Sequence, residues 1–414
     1  MDIFSLSTDL LNHLMYNYLP LRDIYSLLST HKSFHVFNTF QLNAIKNANK
    51  GWDDCIKEKL LESCKLIYRS SVLSGTPINI HENVEGVFRY SCRNGHLEIA
   101  QWLYELSRDI NSPINIHIDN ERVFRTSSSQ GDLEIAKWLI KLSTDINSPI
   151  DIHTENECAF IYSCKNGHLE MVQWLYQLSR DTNSPINIHI DNEAAFSCSC
   201  YTGHLEIAKW LIKLGTDINS PININANNED SFIYSCQNGH LKVTKWLYKL
   251  SLKINSPINI HVLDEEAFGL SCGHGRLETA KWLYKLGKEI NSPINIHIHE
   301  EYAFRVSCEK GYLQIIQWLY QLGKEMGSLI NIHIREEYAF KISCKKGYLQ
   351  IARWLYQLGK EINSPINIHI YEEYAFINSC AEGHLEVAQW LCTLYNKYYI
   401  EIKNDKIINY KIKD

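Results

Sequence analysis

Apolar and polar residues follow a helical rhythm along this chain, and the rhythm stops and restarts at fixed distances. Between Leu313 and Leu322, the residues Leu313, Ile316 and Leu319 recur at three-residue steps, with Ile315, Trp318 and Leu322 beside them. That spacing winds an apolar arc too broad for a helix at a surface and predicts one packed between neighbours. A shorter helix precedes it, because Ala303 and Ser307, like Phe304 and Cys308, fall four residues apart and share a face. Gly311 ends this first helix by taking a left-handed cap. Gly323, or Ser179 at the same place in another copy, is expected to close the second. In the "INSPINIHI" segment from Ile290 to Ile298, Pro293 breaks helix while the Ile294-x-Ile296 alternation suits a short extended finger.

This helix–turn–helix–finger unit is repeated. Trp102, Trp138, Trp174, Trp210, Trp246, Trp282, Trp318, Trp354 and Trp390 lie 36 residues apart without a slip, and so do Gly95 through Gly383 and Phe88 through Phe376. A fixed period of this size marks a solenoid, in which each unit buries its apolar face only against its neighbours. The unit resembles the ankyrin repeat, on Gly203-His204-Leu205-Glu206-Ile207-Ala208-Lys209 followed by Leu211, Leu214, Gly215, Asp217, Ile218 and Asn219. The resemblance implies an all-α, ankyrin-type solenoid with extended fingers. Two departures stand out. The family's Thr-Pro-Leu-His opening is replaced by forms such as Tyr302-Ala303-Phe304-Arg305, so its side-chain network is expected to be missing. Each unit is also about three residues longer than usual, with the excess in the finger.

The repetition sets the expected domains. Nine repeats occupy residues 77–392, a helical linker or degenerate half-repeat residues 41–76, a small helical module residues 1–40, and a cap with a polar, frayed tail residues 393–414.

Composition narrows the function. Of 414 residues, 45% are apolar and 21% charged, which fits a folded chain. A net charge of −6 without a polybasic block argues against nucleic-acid binding. No apolar run is long enough for a membrane span, and Asp2 and Asp9 make the start a poor secretory signal, so an intracellular, cytoplasmic, membrane-free chain is expected. Cys92, Cys164, Cys200, Cys236, Cys272, Cys308, Cys344 and Cys380 share one column with Ser128, as small buried side chains would, and reduced thiols are expected. His81, His117, His153, His189, His261, His297, His333 and His369 form another column. Units stacked about 8–10 Å apart cannot bring such residues onto one metal, and no metal or cofactor is expected. With no phosphate loop, nucleophile elbow or zincin motif either, no catalytic residue is assigned.

Comparing the nine copies separates constant from variable columns. Counted from the Phe, Glu at −3 (Glu85 to Glu373) and Ser at +3 (Ser91 to Ser379) never change. They share a face with the Phe and Cys columns, so they are read as building the stack, the Glu placed to favour the helix dipole. Columns −2 and +1 vary, and so does the residue after "HI" in the finger. Arg122, Asp230, Glu266, Tyr302, Tyr338 and Tyr374 lie at −2, Arg125, Arg305 and Lys341 at +1, and His299, Arg335 and Tyr371 on the finger. Packing does not dictate these positions, and ankyrin-like proteins bind through this side. They are therefore the candidate partner-binding residues, with the late tyrosines as anchors.

The front segment differs from the array. Leu6, Asp9, Leu10, Leu14, Leu19, Pro20, Arg22-Asp23-Ile24, Leu27, Lys32 and Phe34 resemble the F-box, although Ser7 stands where that module usually has a proline. The resemblance implies a Skp1-like adaptor as partner, docked on Leu6, Asp9, Leu10, Leu14, Leu19, Pro20, Ile24, Leu27 and Phe34. Otherwise the segment caps the open apolar end of the array. The near-uniform copies, rich in Asn, Ile and Lys, resemble ankyrin proteins of giant DNA viruses of amoebae, which would place the chain in a host cell. The expected function is a monomeric, non-catalytic adaptor. It would hold a target protein on the array and recruit a ubiquitin ligase at the front; the alternative is a plain ankyrin scaffold.

Overall fold

The structure, a computed structural model, describes Leu19, Leu21, Asp23, Ile24, Ala44, Asn47, Ala48 and residues 50–413. It divides into two compact units, residues 1–187 and 188–414. In the first, helices α1 (Trp52–Lys57) and α2 (Leu61–Leu73) precede the pairs α3/α4 (Glu82–Arg93, Leu97–Asp109), α5/α6 (Ile118–Gln130, Leu133–Asp145) and α7/α8 (Thr154–Asn166, Leu169–Asp181). The second holds α9/α10 (Ile190–Thr202, Leu205–Asp217), α11/α12 (Ala226–Gln237, Leu241–Lys253) and α13/α14 (Val262–Gly273, Leu277–Glu289). It continues with α15/α16 (Ile298–Lys310, Leu313–Glu325), α17/α18 (Ile334–Lys345, Leu349–Glu361), α19/α20 (Ile370–Ala381, Leu385–Leu394) and strands β1 (Tyr398–Lys403) and β2 (Lys406–Ile412).

The stack is held by the constant columns. Every repeat Phe is almost fully buried, and Phe88 meets Trp138 of the next pair at 6.2 Å between ring centroids, as Phe268 meets Trp318 at 6.1 Å. Burying one such ring contributes roughly 1.5–3 kcal/mol, and these contacts couple neighbouring pairs within each unit. The constant Ser hydroxyls close the first helix internally: Ser163 donates to Ala159 O (2.7 Å) and lies within 2.9 Å of Ser128 O in the preceding pair. The Cys column is buried, and desolvation pushes the Cys272 thiol well up.

Gly131 ends α5 at φ 78°, with its N–H on Ser128 O and the Asp132 N–H on Ser127 O, the paired bonds of a Schellman turn. The second helix ends differently from the expectation. Gly323 lies inside α16, buried, where an added Cβ would meet Ser328 O at 2.7 Å, so it is there for close approach of the finger. The left-handed residue is the Asn of the finger, such as Asn111 at φ 55°, with Gly327 in its place once. Where the column carries Ser, the hydroxyl is used: Ser107 Oγ accepts the Ile114 N–H at 3.1 Å. The fingers bury alternate isoleucines (Ile114 and Ile116) but form no strand among the described residues.

The degenerate front pair follows the same plan. Ser71 Oγ accepts the Ile78 N–H at 3.1 Å, and Trp52 lies 6.0 Å from Trp102. At the other end, the residues expected to fray form an antiparallel hairpin pairing Tyr398 with Ile412 and Ile400 with Tyr410. Its turn runs through Asn404 and Asp405, both at positive φ. Tyr398 stacks on Phe376 at 4.1 Å, where a further repeat would present its Trp.

Candidate functional site

The geometry of the first-helix face begins in the finger. Each "HI" leads into three consecutive left-handed residues, such as Asp191, Asn192 and Glu193 at φ 48°, 54° and 69°, before the right-handed helix starts. Residues other than glycine occupy this region at a cost of about 1–2 kcal/mol each, so something must hold the turn. The constant His and Glu do so: in eight repeats, His Nδ1 lies 2.8–2.9 Å from the Glu carboxylate four residues on. The same carboxylate accepts a backbone N–H from the next finger, as Glu193 does from Asn223 (3.0 Å) and Glu265 from Asn295 (3.0 Å). At the last repeat the Tyr398 hydroxyl donates to Glu373 instead. The ladder thus stands where the family's opening network was expected to be missing, and it gives the His and Glu columns a structural role that sequence comparison read separately. The Glu, in the first turn of its helix, is also a link between repeats.

The +1 arginines hold the same turn. Arg305 Nε donates to Glu300 O (2.6 Å) and its terminal nitrogen to His299 O (2.9 Å), and Arg125 does the same to Asn120 O (2.7 Å) and Asp119 O (2.9 Å). Arg305, held this way, and Lys341, held against tyrosine rings, are both buried at 8% exposure, deeper than expected of partner-binding residues.

The first unit presents a cationic cluster here: exposed Arg122 pairs with Asp119 at 3.2 Å beside half-buried Arg125. In the second unit the stripe changes character along the chain. Asp230 and Glu266 are half-buried, and desolvation raises the Asp230 carboxyl. Exposed His299 lies 3.4 Å from Asp264, and exposed Arg335 pairs with Glu300. The tyrosines then gather. Tyr302 is 36% exposed and Tyr371 60%, while Tyr338 and Tyr374 are half-buried. The Arg305 guanidinium lies 5.6 Å from the Tyr338 ring, and Lys341 Nζ 3.9 Å from Tyr371 and 5.9 Å from Tyr374. Tyr338, Lys341, Ile342, Tyr371 and Tyr374 line a groove of about 310 Å³. The sequence columns named these residues but not the groove, which depends on Lys341 reaching a finger residue of the following repeat.

Of the front residues, Leu19 is half-buried and Ile24 fully buried, so Ile24 offers no surface to an adaptor. Leu6, Asp9, Leu10, Leu14, Pro20, Leu27 and Phe34 lie outside the described residues. The Leu21 N–H donates to Ser70 Oγ of α2 at 2.8 Å. Among the described residues no cluster could hold a metal, and no helix is long and apolar enough to cross a membrane.

Stacked helix pairs joined by tight turns and fingers, with a variable first-helix face, define a repeat protein of the interaction-module class. The ankyrin-repeat family (three copies) matches residues 124–222, and ankyrin repeats (many copies) match residues 338–391. Those two segments are therefore matched as ankyrin repeats, and ankyrin repeats form protein–protein interaction modules. No curated protein matches the chain.

Proposed function

We propose that the chain is a non-catalytic adaptor that holds a target protein on the variable face of its later repeats. One observation carries this reading. The constant columns are spent on internal bonds, while the columns that packing leaves free collect Tyr338, Tyr371 and Tyr374 around a groove. Aromatic side chains of this kind, half-exposed and held by neighbours, are typical anchors of protein interfaces. The finer form of the proposal adds a Skp1-like adaptor at the front, so that the target is presented to a cullin-type ubiquitin ligase. It rests on the F-box-like residues Leu6, Asp9, Leu10, Leu14, Leu19, Pro20, Leu27 and Phe34. The resemblance to giant-virus ankyrin proteins would make the target a host protein.

A second reading, an ankyrin scaffold with a front cap and no ubiquitin link, is favoured by buried Ile24 and the Leu21–Ser70 bond. Purified Skp1 adaptor, titrated against the full chain and its Leu10→Asp/Pro20→Ala variant, separates the two. Binding lost in the variant with unchanged thermal unfolding supports docking. Absence of binding to the full chain, or an unfolding shift alone, leaves the cap.

A further inference from the structure

The tyrosine groove has one cation at its base and almost every other polar group around it is already committed. The Tyr338 hydroxyl donates to Glu309 (3.0 Å), and the Glu336 carboxylate beside the Tyr371 hydroxyl raises its pKa. Glu337 is taken by His333 at 2.9 Å and by the Asn367 N–H at 3.1 Å. Arg335 is held by Glu300, and Arg305 by backbone carbonyls. What remains is the Lys341 ammonium, which faces the Tyr371 and Tyr374 rings. Burial pushes the Lys341 pKa down, against the pull of Glu336 and Glu337. A desolvated ammonium whose contacts are ring faces has hydrogen-bond donors to spare.

Three tyrosines could be thought a seat for a foreign cation. That seat is taken, because Lys341 Nζ already lies 3.9 Å from the Tyr371 ring and would repel a second positive charge. We propose that this groove receives an acidic side chain of the target, its carboxylate on Lys341 and the apolar residue beside it against the rings of Tyr338 and Tyr371. The occupant is thus a segment in which Asp or Glu adjoins an apolar residue. The inference rests on the reading that the late variable face binds a protein.

A random dodecapeptide display library is selected on the full chain, and the affinities of the selected peptides are measured by calorimetry. Selected peptides are expected to carry an acidic residue next to an apolar one. They should weaken on the order of thirtyfold on Lys341→Gln, as for truncation of a buried charge pair, and equally when the acid becomes its amide. Lys341→Arg should restore most of the affinity, and Tyr374→Phe, which removes only a hydroxyl, should weaken binding less. Peptides that need Tyr338 and Tyr374 yet ignore Lys341→Gln, or that carry Lys or Arg in place of the acid, overturn the acid seat alone. A chain that selects no peptide, or only peptides indifferent to Tyr338→Ala, Tyr374→Ala and Lys341→Gln, overturns the binding face and the acid seat together.

Discussion

Glu193 carries the clearest energetic consequence of the ladder, and Glu193→Ala is the perturbation that reads it. Its carboxylate accepts from His189 Nδ1 at 2.9 Å and from the Asn223 N–H at 3.0 Å, on a residue only 6% exposed. A hydrogen bond to a charged acceptor is worth about 1.5–3 kcal/mol. The His189 ring is 31% exposed and can regain water, so its share is small, whereas the Asn223 N–H loses its partner outright. The expected cost is therefore about 2–3 kcal/mol, concentrated where the finger of one repeat meets the turn of the one before it. In a chain of nearest-neighbour contacts a single melting temperature is a poor measure, because the array need not unfold as one unit. Hydrogen–deuterium exchange of the Asn219–Asn225 finger is the better assay, and its amides should open about thirtyfold more often. Glu193→Gln should cost only about 1 kcal/mol, since the amide oxygen still accepts from Asn223 and the His189 ring can move its proton to Nε2. That nitrogen already lies 2.8 Å from Ser220 Oγ. Unchanged exchange in Glu193→Ala, or equal losses for Ala and Gln, would refute the reasoning.

Other expectations follow from the same geometry. Asn225 stands in place of the ladder histidine in one repeat, where Glu229 makes no bond to it, so Asn225→His should stabilise that repeat by about 0.5–1.5 kcal/mol in denaturant titration. Burial raises the Glu229 carboxyl pKa, partly offset by the Asn259 N–H. Between the unfolded and folded values the folded chain binds the extra proton, so stability here falls as pH rises through that window. Glu229→Gln should abolish this acid-side gain, read as the pH dependence of local exchange. Thiol titration of the native chain should modify Cys158, Cys198 and Cys392 first and the buried column only on unfolding. Tyr398→Ala, which uncovers Phe376, should cost about 3–5 kcal/mol and speed exchange in α19 and the hairpin.

Much of the fold was legible because repetition turns one chain into its own alignment. The Trp, Phe, Cys and Ser columns were identified as packing, and Gly311 as a helix end, from spacing alone. The left-handed turn was not legible. Asn and Asp tolerate that conformation and occur at several of its positions, but Leu263, Arg335 and Tyr371 sit there too, held by bonds from other residues. For the same reason Arg305 looked like a free surface cation when its guanidinium is bound to the turn carbonyls. The hairpin was missed although Ile400 and Ile402, then Asn404-Asp405, spell strand and turn, because lysines on both sides made the segment read as solvated tail.

The central claim is that a target protein meets the variable first-helix face of the later repeats. A photo-crosslinking residue placed in turn at Tyr338, Tyr374 and, as a control, the exposed Lys285 on the second-helix side tests it in cells expressing the chain. One common protein captured from Tyr338 and Tyr374, and absent from Lys285, is the predicted result. Capture from Lys285 alone, or the same products from all three positions, would contradict it.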